Sequence, residues 1–244
     1  MRLLLVNPNT SDAITATITE AARAAAGPGT VIVPVMAPFG ARVIGTRTES
    51  AVADHACLDA LAQHAPGCDA AIMASGFDNG VRAGREMLPM PVLGITEAAL
   101  HIGSLVGGRF GAVALNPRVG GLLRELIASY GFGAGLCGMR SLPAGVVDLL
   151  RSPDILADAL SVAANSLVEE GAEVVLLLGA VMAGMPGRIQ SGVPVPVLEG
   201  LSCAVALAEA MTRLNIPKAR TGSFAPLPSS EQVGLGPALA SRFG

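Results

Sequence analysis

The chain states one pattern twice, and both copies end on a residue without side-chain chemistry. Gly67-Cys68-Asp69, followed by Ala70 to Ala74 and Ser75-Gly76, corresponds to Gly171-Ala172-Glu173, followed by Val174 to Leu178 and Gly179-Ala180. Each run leads to a Pro-x-Pro-Val-Leu element, Pro89 to Leu93 and Pro194 to Leu198, and the opening Leu3 to Pro8 is echoed by Gly111 to Pro117. A period of about a hundred residues is too long for a solenoid unit and suits two similar lobes facing each other across a cleft. Functional groups are then expected at paired positions, one from each lobe.

Short apolar runs alternate with helical patterns. Strands are expected at Leu3 to Val6, Val31 to Val35, Ala70 to Ala74, Val92 to Gly94, Gly111 to Leu115, Leu136 to Met139, Val174 to Leu178 and Val195 to Leu198. The segments Ser11 to Ala25, Glu49 to Gln63, Val81 to Met87, Glu97 to Leu105, Val119 to Tyr130, Pro153 to Glu170 and Leu201 to Leu214 read as helices. This alternation predicts an α/β chain of parallel sheets with helices on both faces, joined by right-handed crossovers. The apolar runs are continuous, as in strands buried on both sides. The predicted division is a first lobe of residues 1–100 plus 206–244 and a second lobe of 101–205. Pro38-Phe39-Gly40 to Thr46 reads as a loop able to close over a cleft, and the Pro-, Gly- and Ser-rich stretch after Leu214 as a tail on the surface.

Composition removes several function classes. In 244 residues no apolar run approaches the roughly eighteen needed to cross a bilayer, and the start is too short for a signal-peptide core, so no membrane partner and a cytoplasmic location are expected. A net charge of -3, without a basic run and with few aromatics, argues against nucleic acid. Cys57, Cys68, Cys137 and Cys203 have no CxxC spacing or accompanying His cluster, so neither a metal site nor a disulfide framework is expected. Gly107-Gly108 is a turn between lobes, not a phosphate loop.

Ligands of open parallel sheets bind beyond the carboxyl ends of the strands. The residues to read are therefore Asn7 to Ser11, Ser75 to Gly80, Thr96-Glu97, Asn116-Pro117, Gly179 to Gly184 and Glu199-Gly200. Asn7 offers an amide that donates and accepts, Thr10 and Ser75 offer hydroxyls, and Thr96 stands at a helix entry whose free N–H groups favour an anion or enolate oxygen. Asn116 repeats Asn7 in the other lobe, which favours a binding role for Asn7, and Phe77 supplies an apolar pocket wall. Thr10 serves equally well as a helix cap, and Asp78 and Glu97 more often act as caps or first-turn charges. Together these groups suit a small polar ligand that is anionic or imide-like.

Asn7-Pro8-Asn9-Thr10, Ser75-Gly76-Phe77-Asp78, Pro91 to Ala99, Gly179 to Met185 and Pro194 to Gly200 occur in an order and spacing that resemble the aspartate/glutamate racemase superfamily, with the hydantoin and allantoin racemases nearest. The resemblance spans nearly the whole chain, including the Lys218 to Ser223 tail. It implies two Rossmann-like lobes related by a pseudo-twofold axis, no cofactor, a homo-oligomer, and a small-molecule substrate with a carboxylate or cyclic ureide held between strand ends. It implies binding roles for Asn7, Thr10, Ser75, Gly76, Phe77, Thr96, Asn116, Gly179, Ala180, Val181 and Glu199.

Racemases of this superfamily use two cysteines, one per lobe: a thiolate removes the proton next to a carbonyl and the opposite thiol returns one. The corresponding positions here are Gly76 and Ala180, and the internal repeat independently pairs the same two residues. Three explanations remain open. Another group moves the proton, the substitutes being Cys203, Asp78 and Glu199, with Ser75, Thr10 and Glu97 also near strand ends. Alternatively the reaction has changed, as in the arylmalonate decarboxylases, which have glycine at the first position; a second anion-binding subsite would mark that case. The third is binding of a small molecule without turnover. The first of these makes the chain a hydantoin racemase-like, cofactor-independent isomerase working through an enolate-like intermediate.

Overall fold

The strands of the described residues are short and the central ones are buried along nearly their whole length, so helices must pack on both faces of each sheet. The computed structural model describes residues 1–142 and 152–244. The first half runs β1 (Arg2–Asn7), α1 (Asp12–Ala25), β2 (Val31–Met36), α2 (Arg47–His64), β3 (Ala70–Met73), α3 (Val81–Met87), β4 (Val92–Gly94) and α4 (Ile95–Val106). The second runs β5 (Phe110–Ala114), α5 (Pro117–Ser129), β6 (Leu136–Ser141), α6 (Pro153–Glu169), β7 (Val174–Leu177), the short α7 (Pro186–Ile189), β8 (Val197–Glu199) and α8 (Gly200–Leu214), with α9 (Pro237–Ala240) in the tail. All eight strands lie within two residues of their predicted bounds. The last begins late because Pro194 and Pro196 have no N–H to give a ladder.

The strands form two four-stranded parallel sheets with orders β2-β1-β3-β4 and β6-β5-β7-β8, the same order in each lobe. Leu3 to Val6, all of β3 and all of β7 are buried, whereas the edge strands β2 and β6 are partly exposed. Pro34 sits on edge strand β2, where its missing donor costs little. Register fixes the equivalence of the lobes: Val6 pairs with Met73 and Met73 with Gly94, while Val113 pairs with Leu177 and Leu177 with Glu199. Counting onward from Met73 and Leu177 matches Ser75 to Gly179 and Gly76 to Ala180.

Two helices exchange lobes. α4 leaves the first sheet and buries Ala99 and Leu100 with Val174, Leu176 and Leu178 of the second. α8 leaves the second sheet and buries Leu201, Ala204, Val205 and Ala208 with Leu3, Leu5 and Ile72 of the first. They start side by side, so closely that a Cβ on Gly200 would fall inside the Ile95 carbonyl. A glycine is thus required where the helices cross. The tail docks on the first lobe: Lys218 Nζ donates to the carbonyls of Arg85, Glu86 and Leu88 at the end of α3, at 2.6, 2.6 and 2.9 Å, and Arg242 donates to Ala62 O at the end of α2.

The entry to α4 is capped from a distance. Its N-cap position is Gly94, and the cap is supplied by Asp78, whose carboxylate accepts from Thr96 N and Glu97 N, each at 2.9 Å. Tyr130 OH, from the end of α5 in the other lobe, donates to the same carboxylate at 3.0 Å. Arg85 forms a two-pronged pair with Glu97 beside it, and Arg82 lies over the Tyr130 ring. Asp78 is buried at a positive φ of 51°. Burial pushes its carboxyl up to about 7, against the pull of the two N–H groups and the phenol.

Two outcomes are expected. Gly200→Ala forces two helix starts apart and costs at least about 2 kcal/mol in chemical denaturation, whereas Gly187→Ala, which meets open space, leaves the midpoint unchanged. For Asp78, the folded carboxyl titrates near 7 and an unfolded one near about 3.9, so the folded state holds the proton more tightly. Its contribution to stability is greatest below about pH 4, declines as pH rises toward 7 and is level above. Asp78→Asn flattens that part of the stability profile relative to the parent, and Tyr130→Phe loses about 1 to 3 kcal/mol, most of it above pH 7 where the phenol faces a carboxylate.

Candidate functional site

Between the two sets of strand ends lies a narrow cleft with walls from both lobes. The first lobe contributes Asn9, Ile14, Ala74, Ser75, Gly76 and Phe77, together with Val43 and Ile44 from the loop before α2. The second contributes Leu115, Val119 and Leu178 to Val181. The lobes meet here at two glycines: a Cβ built on Gly76 would sit 3.3 Å from Gly179 Cα and 3.6 Å from its nitrogen. Gly179 takes φ 139°, a conformation that side chains rarely adopt, and turns the chain sharply from β7 into the 3-10 turn Ala180–Met182.

Of the residues expected to bind, Ser75, Gly76, Phe77, Gly179, Ala180 and Val181 line this cleft. The others are hydrogen-bonded within the framework and are not among the lining residues. Asn7 is fully buried: its Nδ2 donates to Asn9 Oδ1 at 3.0 Å, Thr15 Oγ1 at 2.8 Å and Ser11 O at 3.4 Å, and its Oδ1 accepts from Asn9 N at 3.3 Å. Thr10 binds the loop before α2, with its N–H on Ala41 O at 3.0 Å and its hydroxyl on Gly40 O, while Ser11 caps α1. This fastening brings Val43 and Ile44 over the cleft. Asn116 caps α5 by accepting from Val119 N at 3.0 Å, and Thr96 donates its hydroxyl to Gly76 O at 2.8 Å, fixing the backbone of the cleft floor.

The substitute acids and bases are likewise displaced from the cleft. Asp78 caps α4, and Glu199 caps α8 by accepting from Leu201 N at 2.7 Å and Ser202 N at 2.8 Å, with the Ser202 hydroxyl on the same carboxylate. Glu97 is paired with Arg85. Cys203 packs in the core of the first lobe among Leu5, Ile72 and Leu201, and burial pushes its thiol up to about 12. Buried thiols of this kind are inert. None of these side chains lines the cleft, and among the described residues no titratable side chain does.

Beyond the residues expected from the sequence to bind, Asn9, Ile14, Val43, Ile44, Ala74, Leu115, Val119 and Leu178 also line the cleft. Asn7 ends β1 and Asn9 lies in the bend after it, so spacing alone does not decide which of them is consumed by the turn. The apolar walls carried a weaker signal, because Val43 and Ile44 lie in a loop with no periodicity.

The chain matches the model of the Asp/Glu/Hydantoin racemase family over residues 3–208. It is 30% identical to a hydantoin racemase of Pseudomonas sp. (strain NS671) over 236 residues, covering 96% of this chain and 95% of the relative. Among solved structures it resembles an allantoin racemase from Pseudomonas fluorescens with a TM-score of 0.87 and 33% identity, over 92% of this chain and 96% of that one. It also resembles an allantoin racemase from Klebsiella pneumoniae with a TM-score of 0.89 and 30% identity, over 99% and 98% of the two chains. Two lobes of like topology, a cleft at their strand ends and a family match across most of the length give one conclusion: this chain belongs to the Asp/Glu/hydantoin racemase family, a family of isomerases.

Proposed function

We propose that this chain is a hydantoin racemase-like isomerase that takes a 5-substituted hydantoin, or a related amino-acid derivative, in the inter-lobe cleft and works without a cofactor through an enolate-like intermediate, with water as the proton carrier. The observation that carries this reading is the convergence of Gly76 and Gly179-Ala180 on one cleft in a chain of this family. The Gly76 and Gly179 N–H groups donate to no acceptor among the described residues. They are therefore available to an oxygen on which charge develops when the neighbouring C–H bond breaks. In the forward step that proton passes to water, and the enolate is reprotonated from water on either face, so atoms and charge balance without a side-chain acid.

Among the described residues no acid or base lines the cleft, and this sets the rate class of the proposed reaction. General acid–base catalysis contributes about 10²- to 10⁴-fold, so turnover is expected to be slower than a thiol pair at Gly76 and Ala180 would give. Binding without turnover is the second reading, favoured by the same lack of a titratable side chain in the lining. A decarboxylase would be marked by a second anion-binding subsite, and among the described lining residues there is no lysine, arginine or histidine.

Proton NMR in deuterium oxide, with enantiopure 5-substituted hydantoins and allantoin, tests the proposal against a protein-free control. Exchange of the α proton with loss of optical rotation, slow but above the control, is the expected result. Introducing both thiols, Gly76→Cys with Ala180→Cys, is expected to raise it about 10²-fold or more, provided Gly179 gives by the few tenths of an ångström that a Cβ at Gly76 demands. Saturable binding with exchange no faster than the control would replace the isomerase by a binding protein. Neither binding nor exchange, in the parent and in the double cysteine variant, would overturn the assignment of these ligands.

A further inference from the structure

Among the described residues the lining of the cleft is apolar except for two side chains, Asn9 and Ser75, which are 8% and 7% exposed. Each is held by partners behind it, and those partners decide which atom it can offer to a ligand. Asn9 Oδ1 accepts from Ser11 N at 2.9 Å and from Asn7 Nδ2 at 3.0 Å. Because a backbone N–H can only donate, the atom facing Ser11 must be the oxygen, and the amide orientation is fixed by the network. That leaves Asn9 Nδ2 as the free end, without a protein acceptor among the described residues. The cleft therefore presents a donor at Asn9.

Ser75 is fixed with the opposite polarity. Asn79, 1% exposed, directs its Nδ2 to Ser50 O at 3.1 Å, Ser50 Oγ at 2.8 Å and Asp54 Oδ1 at 2.9 Å. A carbonyl and a carboxylate can only accept, so the amide nitrogen is on that side and Asn79 Oδ1 faces Ser75 Oγ at 2.8 Å. The Ser75 hydroxyl must donate its single proton there. One of its lone pairs accepts from Phe77 N at 3.2 Å, and the other remains for a ligand. Turning the hydroxyl toward a ligand acceptor would leave Asn79 Oδ1 buried without a donor, which costs about 1 to 3 kcal/mol. Ser75 is an acceptor by construction.

We infer that Asn9 and Ser75 read the C=O and N–H groups of a neutral cyclic ureide or imide, and that the cleft discriminates against carboxylates, including the ring-opened carbamoyl acid of the same hydantoin. This rests on the proposed function and names the chemical group by which that ligand is selected. A simple carboxylate offers acceptors only and would meet the lone pair of Ser75; the ring-opened carbamoyl acid keeps ureido N–H donors but brings a negative charge into a lining with no cation among the described residues. A ring N–H beside a ring C=O satisfies both side chains at once. Ser75 acts here as a specificity-determining residue, with Asn79 and Asp54 as the positioning residues behind it.

Calorimetric titration of the parent protein with a 5-substituted hydantoin, its two mono-N-methyl derivatives, the matching succinimide and the ring-opened carbamoyl acid tests this without any variant. The hydantoin and the succinimide are expected to bind, the carbamoyl acid to bind at least 10-fold more weakly, and one N-methyl isomer to lose about 3- to 10-fold, the worth of one hydrogen bond. In Ser75→Ala, with its folding confirmed by an intact denaturation profile, the ratio between that isomer and the parent hydantoin should fall to about one, and Ser75→Thr should restore it. If the hydantoin binds but both N-methyl isomers match it, or the carbamoyl acid binds as well, the recognition rule is overturned while the ligand assignment stands. If no ureide or imide binds, both fall together.

Discussion

The contact on which the rest of the molecule depends is the crossing of α4 and α8, where the backbone at Gly200 lies against the Ile95 carbonyl. Each helix starts at the end of one sheet and finishes in the core of the other lobe, so neither lobe can bury its own sheet without the other's helix. The crossing holds both sets of strand ends at a common level, and the cleft opens beside it. The pseudo-symmetry is imperfect at this point. In the second lobe the helix is capped by its own N-cap residue, Glu199; the register-equivalent position in the first lobe is Gly94, and Asp78 supplies the carboxylate from the loop after β3. A Cβ at Gly94 would fall within the Asp78 carboxyl, so the two residues together do the work of one glutamate.

This substitution ties the cap to the cleft. Asp78 follows Gly76 and Phe77, and Thr96, whose N–H it holds, donates its hydroxyl back to Gly76 O. The Tyr130 phenol brings the other lobe to the same carboxylate. The floor of the cleft is thus fixed by a closed circuit of hydrogen bonds from both lobes, and rigid backbone there keeps the Gly76 N–H pointing in one direction. Preorganised donors of this kind need no rearrangement when charge develops on a bound oxygen.

The sequence made the architecture legible because buried parallel strands are continuous apolar runs and their punctuation is strong. Every strand and long helix of the described residues could be placed to within about two residues. The repeat also paired Gly76 with Ala180, and the strand register pairs the same residues. What could not be read was the direction in which polar side chains turn. Asn, Thr, Asp and Glu at a strand end can cap the following helix or meet a ligand with the same atoms, and the choice depends on partners remote in sequence: Asp78 on Thr96, Thr10 on Ala41, Asn79 on Ser50 and Asp54. Asn7 and Asn9 illustrate the limit, since two identical side chains two residues apart divide the roles, one locked in the turn and one left with a free donor.

On the proposed function, with Gly76 and Ala180 where thiols are expected, two parts of catalysis that are usually lost together are separated. A thiol contributes to the proton transfer itself, whereas N–H groups at Gly76 and Gly179 act on the carbonyl oxygen and gain strength only as it becomes an enolate. Removing the first leaves the second intact, because backbone donors do not depend on which side chain is present. A neutral lining follows the same logic. A nearby cation would hold a ground-state carboxylate as firmly as the enolate, and would lower the barrier little, while uncharged donors in an apolar cleft favour the state in which charge has moved onto oxygen. The described cleft has that character: buried, almost wholly apolar, with its only polar side chains oriented from behind. The proposed selectivity for a neutral ligand and the proposed stabilisation of an enolate therefore draw on one arrangement.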